Sequence, residues 1–236
     1  MILSSDLIKA LESAYRVFAD APAPKTLEAS PPRDAEAIHR MLTGRPLAAI
    51  ANADIGPYAG WAITTVGTGR DYQHFLPRIL ELAVNDPSWM GAAPVAIASR
   101  LEMAGWRTWP AHQQTAVSAV FTAAFSWTLE IQIQDPHDWL AGIALIGGAT
   151  EEARQAWRVS ESLAAAQGLA SFVIDWRSAE QDGEAAPPFW TDVPNPERSR
   201  TRAWLLSDET IAQLRRSVLA FGQDEAWLVP QALDAL

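Results

Sequence analysis

Residues 109–128 read WPAHQQTAVSAVFTAAFSWT. Pro110 suits the first turn of a helix, where its missing N–H has no partner to lose, and beyond it Val117, Val120, Phe121, Ala124, Phe125 and Thr128 recur at three-to-four spacing. Period-two alternation is absent. The segment predicts a helix of about 20 residues with one apolar face. Such a face has to be buried against other elements, so the neighbouring sequence decides the class of fold.

Both flanks repeat the pattern. Toward the N-terminus, Leu7, Leu11, Ala14, Tyr15 and Phe18 form a stripe behind the capping residues Ser4 and Ser5. Asp34 caps a short helix ending at Gly44, Asp54 caps one reaching about Thr65 before Gly67 and Gly69, and Asp71 opens one that Asp86-Pro87 ends. Pro77 lies inside the last, so that helix either kinks or begins nearer Pro77. Residues 88–104 are a further helical stretch closing at Gly105, with a break or first turn at Pro94.

Toward the C-terminus, Asp135-Pro136 pairs a cap with a first-turn proline, for a helix that Gly147-Gly148 ends. Thr150 caps the next, which stops near Gly168. Residues 169–178 contain Phe-Val-Ile, which suits a strand, but no partner strand exists elsewhere and a helix is expected. Asn195-Pro196 and Ser207 open two more helices, Gly222 stops the second, and a final one surrounds Pro230.

The expected fold is all-α, with ten or eleven helices in a multi-helical array or bundle and no strict repeat. Its organisation reads as an N-terminal helix over 1–19, a Pro-rich linker over 20–33 and a helical domain over 34–236, with a subdivision left open near 180–195. The eleven tryptophans fall roughly one per element, a spread that reads as core packing rather than an aromatic cage.

Composition narrows the function. The formal net charge is -10 and lysine occurs only at Lys9 and Lys25, so the chain has little with which to neutralise a phosphate backbone, and nucleic acid is not an expected partner. Arg198, Arg200 and Arg202 sit beside Glu197 and read as a solvated helix face. No run of about 18 apolar residues occurs and Ser4, Ser5 and Asp6 do not resemble a signal peptide, so a soluble cytoplasmic protein without membrane contact is expected. Zero cysteine removes disulfides, thiolate nucleophiles and cysteine metal sites.

Common catalytic and cofactor motifs are missing, so no cofactor or metal is expected. Gly67-Thr68-Gly69 lacks both a preceding strand and a third glycine for a phosphate loop. Histidines stand at 39, 74, 112 and 137, with no two spaced to ligate one metal from one helix. The densest polar constellation is Asp71, His74, Arg78 and Glu81. At about 100° per residue these four share one face, opposite Phe75, Ile79, Leu80 and Ala83. That face reads either as solvated or as part of a site completed by His137 or Asp138 from another segment. These six residues are the candidate catalytic set.

Around the same helix the chain resembles a group of uncharacterised bacterial proteins that share an Asp-x-x-His-Phe-Leu-Pro-Arg-x-Leu-Glu-Leu stretch. The matching residues are Tyr58, Thr64, Thr65, Gly67, Asp71, His74, Phe75, Leu76, Pro77, Arg78, Leu80, Glu81 and Leu82, continued by Trp109-Pro110, Asp138-Trp139-Leu140, Phe189-Trp190 and Trp204-Leu205. Members often carry two cysteines ahead of this region, where Pro31, Pro32, Arg33 and Asp34 stand here. No function is established for the group, so the resemblance implies an all-helical fold and directs attention to the His74 segment. The expected role is a non-enzymatic module binding a protein or small ligand between helices, with a metal-assisted, hydrolase-like enzyme centred on His74 as the alternative. Oligomeric state is left open.

Overall fold

A computed structural model describes residues 2–132 and 134–236. The protein is all-α: twelve α-helices and no strand occur among the described residues, with only two isolated bridges, Ala29 to Val66 and Ala62 to Val66. The chain divides into two compact units, Met1–Ala123 and Ala124–Leu236, the division falling inside one helix. None of the helices in the described residues is long and apolar enough to cross a membrane.

The first unit contains α1 (Ser5–Val17), α2 (Ala35–Thr43), α3 (Asn52–Trp61), α4 (Gly69–Asn85), α5 (Pro94–Met103) and most of α6 (Ala111–Thr128). Ser4 Oγ accepts from Leu7 N at 3.2 Å and Asp34 Oδ1 from Ala37 N at 2.9 Å, so both sequence-read caps satisfy N–H groups that a helix start leaves unpaired. α3 starts at Asn52, two residues before the Asp54 read as its cap. Thr68, not Asp71, caps α4; Asp71 is the third helical residue and completes a reciprocal capping box, returning Oδ2 to Thr68 N at 2.7 Å. Gly67-Thr68-Gly69 is therefore a helix start, with the N–H groups of Gly67 and Thr68 already bonded within the protein. α4 continues through Pro77.

α4 is the centre of this unit. Tyr72, Phe75, Leu76, Ile79, Leu80, Leu82 and Val84 are all fully buried, so apolar residues cover most of the helix circumference. Segment 20–33 is no free linker. Gly67 N donates to Glu28 O at 2.7 Å, Ser30 N to Thr65 O at 2.9 Å, Leu27 is buried, and the Arg33 guanidinium lies 4.0 Å over the Trp61 ring. Prolines that cannot hold a helical ladder still leave donors and acceptors for pairing across loops.

The second unit takes the end of α6 and adds α7 (Pro136–Leu145), α8 (Thr150–Val159), α9 (Leu163–Gln181), α10 (Asn195–Leu205), α11 (Asp208–Glu225) and α12 (Leu228–Ala235). Residues 169–178 are helical, as expected, but Gly168 does not stop the preceding helix. α8 ends at Val159, and Ser162 caps α9 by accepting from Ala165 N at 2.9 Å. Gly168 instead allows a close approach, because a β-carbon there would stand 2.7 Å from Cδ of Pro136. Gly222, at φ 77°, interrupts α11, close to the stop read from sequence. Loop 182–191 lies where the sequence left a subdivision open, within this unit.

An aromatic core holds the unit together. Phe172 of α9 stacks on Trp157 with ring centroids 6.1 Å apart and meets Trp176 at 5.6 Å and Trp190 at 5.2 Å, while Phe125 and Trp204 flank Trp157 at 5.8 and 5.5 Å. Trp157 Nε1 donates to Ala165 O at 2.9 Å. The core reading of the tryptophans holds for Trp106, Trp127, Trp139, Trp157, Trp176, Trp190 and Trp204, all buried; Trp61, Trp89 and Trp109 are half-buried and Trp227 is 57% exposed.

Candidate functional site

The polar face of α4 is only partly open to solvent, with Arg78 buried and Asp71, His74 and Glu81 half-buried. Tyr15 Oη donates to Glu81 Oε2 at 2.5 Å, and His74 Nδ1 meets Ala21 O at 2.9 Å, which places the proton on Nδ1. Arg78, 6% exposed, donates from Nε to Ile50 O at 2.9 Å and from Nη2 to Asn52 Oδ1 at 2.5 Å, with Nη1 3.4 Å from Glu81 Oε2. Asp71 is spent on its capping box. Helix-wheel geometry could not show that α1, segment 20–33 and the 50–52 turn pack against Glu81, His74 and Arg78. His74, Arg78 and Glu81 fasten three neighbouring segments to α4 while Asp71 closes its cap, so reading the four as a purely solvated face is corrected.

His137 and Asp138 have different surroundings. Asp135 precedes α7 in extended backbone without using its carboxylate as a cap, so three charged or titratable side chains crowd the first turn. α9 contributes Asp175, because Phe172, Asp175 and Ala179 share one helical face. Loop 182–191 and the end of α9 close a cleft of about 740 Å³ lined by Asp135, His137, Asp138, Asp175, Asp182 and Glu184, with Pro187, Pro188 and Phe189 as its apolar wall. Lysine and arginine do not line it.

The His137 ring is buried and lies flat on Phe172, centroids 4.7 Å apart at 11°. Its Nε2 stands 3.4 Å from Asp175 Oδ2 and its Nδ1 3.5 Å from Asp138 Oδ1. Both contacts are at ion-pair distance yet outside hydrogen-bond geometry, so the two ring nitrogens and Asp138 Oδ1 are enclosed without hydrogen-bond partners. Burial lowers the proton affinity of His137, but Asp175, Asp138 and Asp135 together outweigh it and hold the imidazole above its ordinary pKa of 6.5. Burial, helped by Asp135 and Asp175 against the pull of His137, pushes the Asp138 carboxyl up to about 6. Groups this close titrate as one coupled pair.

Of the six sequence candidates, four are committed to packing in the first unit and two lie in this cleft. Sequence reading missed Asp135, Asp175, Asp182 and Glu184. Asp175 left a usable signal, an acid on the apolar stripe between Phe172 and Ala179, whereas Asp182 and Glu184 sit in a loop with no periodicity to betray them. Among the described residues no three His, Asp or Glu side chains are grouped so as to hold a metal ion. No protein-family model matches the chain, and neither a curated protein nor a solved structure matches it.

Proposed function

We propose that the second unit is a helical ligand-binding module whose cleft receives an organic cation, an ammonium or guanidinium group carried on an apolar body. The observation that carries this reading is the imbalance of charge: five carboxylates line the cleft and a single buried imidazole faces them. A cation entering between Asp138 and the more open Asp175 gives the enclosed Oδ1 of Asp138 the donor it lacks, and Pro187, Pro188 and Phe189 offer its hydrocarbon portion an apolar wall. The arrangement explains a buried imidazole ringed by carboxylates, which core packing alone does not require.

A hydrolase centred on His74 has no comparable support, since the polar groups of that segment already bond within the first unit. The test is calorimetric titration of agmatine and spermidine at pH 8, with a neutral isostere as control. Saturable binding of a cation that the Asp138→Asn and Asp175→Asn variants weaken supports the reading. Absence of saturable heat with either amine, or binding untouched by both substitutions, refutes it.

A further inference from the structure

A second cavity in the same unit has a different chemistry. It measures about 330 Å³ and is bordered by Gln132, Gln134, Asp135, Gln167, Ser171 and Trp227, with Pro136 and Gly168 at the closest approach of α7 and α9. Trp227 precedes α12, is the only tryptophan of the unit left exposed, and borders this cavity beside Leu228, with Ile131 and Ala164 as further apolar lining. Isolated exposed apolar residues need no explanation, but one beside a cavity of amides does.

Gln167 supplies the independent sign of a ligand. Its side chain is buried, 8% exposed, and its Nε2 donates to Glu225 O at 2.6 Å. A carbonyl can only accept, so that bond fixes the amide orientation and leaves Oε1 as an enclosed acceptor with no donor. Gln134 is likewise held in place, its Oε1 accepting from Trp139 Nε1 at 2.7 Å. Asp135 adds a carboxylate, and no lysine or arginine borders the cavity.

We propose that this cavity is a binding site for a neutral polyhydroxylated ring, a hexopyranose. The C–H face of such a ring packs on an indole, while its equatorial hydroxyls donate to the oxygens of Gln167 and Asp135 and exchange bonds with Gln132 and Ser171. The volume sits at the lower end of small-molecule sites and suits one sugar ring rather than an oligomer. This site is separate from the acidic cleft, sharing only Asp135 with it.

The test is titration of the intact protein with D-glucose, D-galactose and D-mannose into the millimolar range, followed by calorimetry and tryptophan fluorescence. At least one hexose binds saturably, and Trp227→Ala and Gln167→Leu each weaken it by about tenfold or more. Trp227 is exposed, so its alanine variant retains the wild-type unfolding midpoint and remains informative even where Gln167→Leu does not fold. Asp175→Asn leaves hexose affinity unchanged, which separates this site from the cation cleft. Failure of all three hexoses to saturate, affinity unaltered by Trp227→Ala, or preferential binding of adenosine overturns the assignment.

Discussion

Replacing Gly168 by alanine tests whether α7 and α9 are held at the separation that sets His137 beside Asp175. The new β-carbon would lie 2.7 Å from Cδ and 3.0 Å from Cγ of Pro136, and 3.5 Å from Cζ2 of Trp157. Carbon atoms settle at about 3.5–4.0 Å, so the methyl overlaps the proline ring by roughly 1 Å. That ring is closed on its own backbone in the first turn of α7 and cannot rotate away, so the helices must part. Overpacking of this kind costs about 1–3 kcal/mol, against a gain of about 1 kcal/mol for alanine over glycine inside a helix.

The expected net result is a loss of about 1 kcal/mol for Gly168→Ala and about 3 kcal/mol for Gly168→Val, which adds volume without the helical preference of alanine. Urea unfolding measures it as a falling midpoint at unchanged slope. The proton resonances of His137 supply a second readout: Pro136 carries its neighbour away from Asp175, so the imidazole titrates at lower pH than in the wild type. A Gly168→Ala protein more stable by about 1 kcal/mol, with the His137 titration unmoved, would show that helix propensity governs this position and that the close approach has no bearing on the cleft.

Three further outcomes follow from the geometry. Arg78→Met strands Ile50 O, Asn52 Oδ1 and part of Glu81 in a covered site and destabilises the chain by about 3–5 kcal/mol by thermal or urea unfolding; a loss below about 1 kcal/mol contradicts the role given to Arg78. Asp138 and His137 both bind protons more tightly folded than unfolded, so their contribution to stability falls as pH rises, from about 4 through about 6 for Asp138 and above 6.5 for His137. The difference in unfolding free energy between wild type and Asp138→Asn accordingly declines across about pH 4–6, and a level difference curve rejects the raised carboxyl. Thr68→Ala removes one half of the capping box and costs about 1 kcal/mol, which Thr68→Ser restores; equal stability of all three proteins would disprove the cap.

Local signals carried most of the fold. Ser4, Asp34 and Ser207 cap by side-chain bonds that short-range sequence alone specifies, and Asp135-Pro136 opens α7 where the pairing says it should. What failed was long-range. Gly168 reads as a stop, yet its reason is the ring of Pro136, thirty-two positions away in the chain, and no window on the sequence contains both. The same limit hid the site: His137 and Asp138 are adjacent and were legible, whereas Asp175 joins them through the packing of α7 against α9. The α4 face shows the converse, since amphipathic periodicity assigns polar residues to water unless another element is known to cover them.

Asp135 borders both cavities of the second unit, and that shared wall makes them thermodynamically reciprocal. A cation that draws this carboxylate into the acidic cleft removes an acceptor from the cavity beneath Trp227, and a ring of hydroxyls that engages it there lowers the negative potential offered to the cation. Whatever factor the first ligand imposes on the affinity for the second, the second imposes on the first. If both clefts take the ligands proposed above, one aspartate left free of its helix cap would make them antagonists.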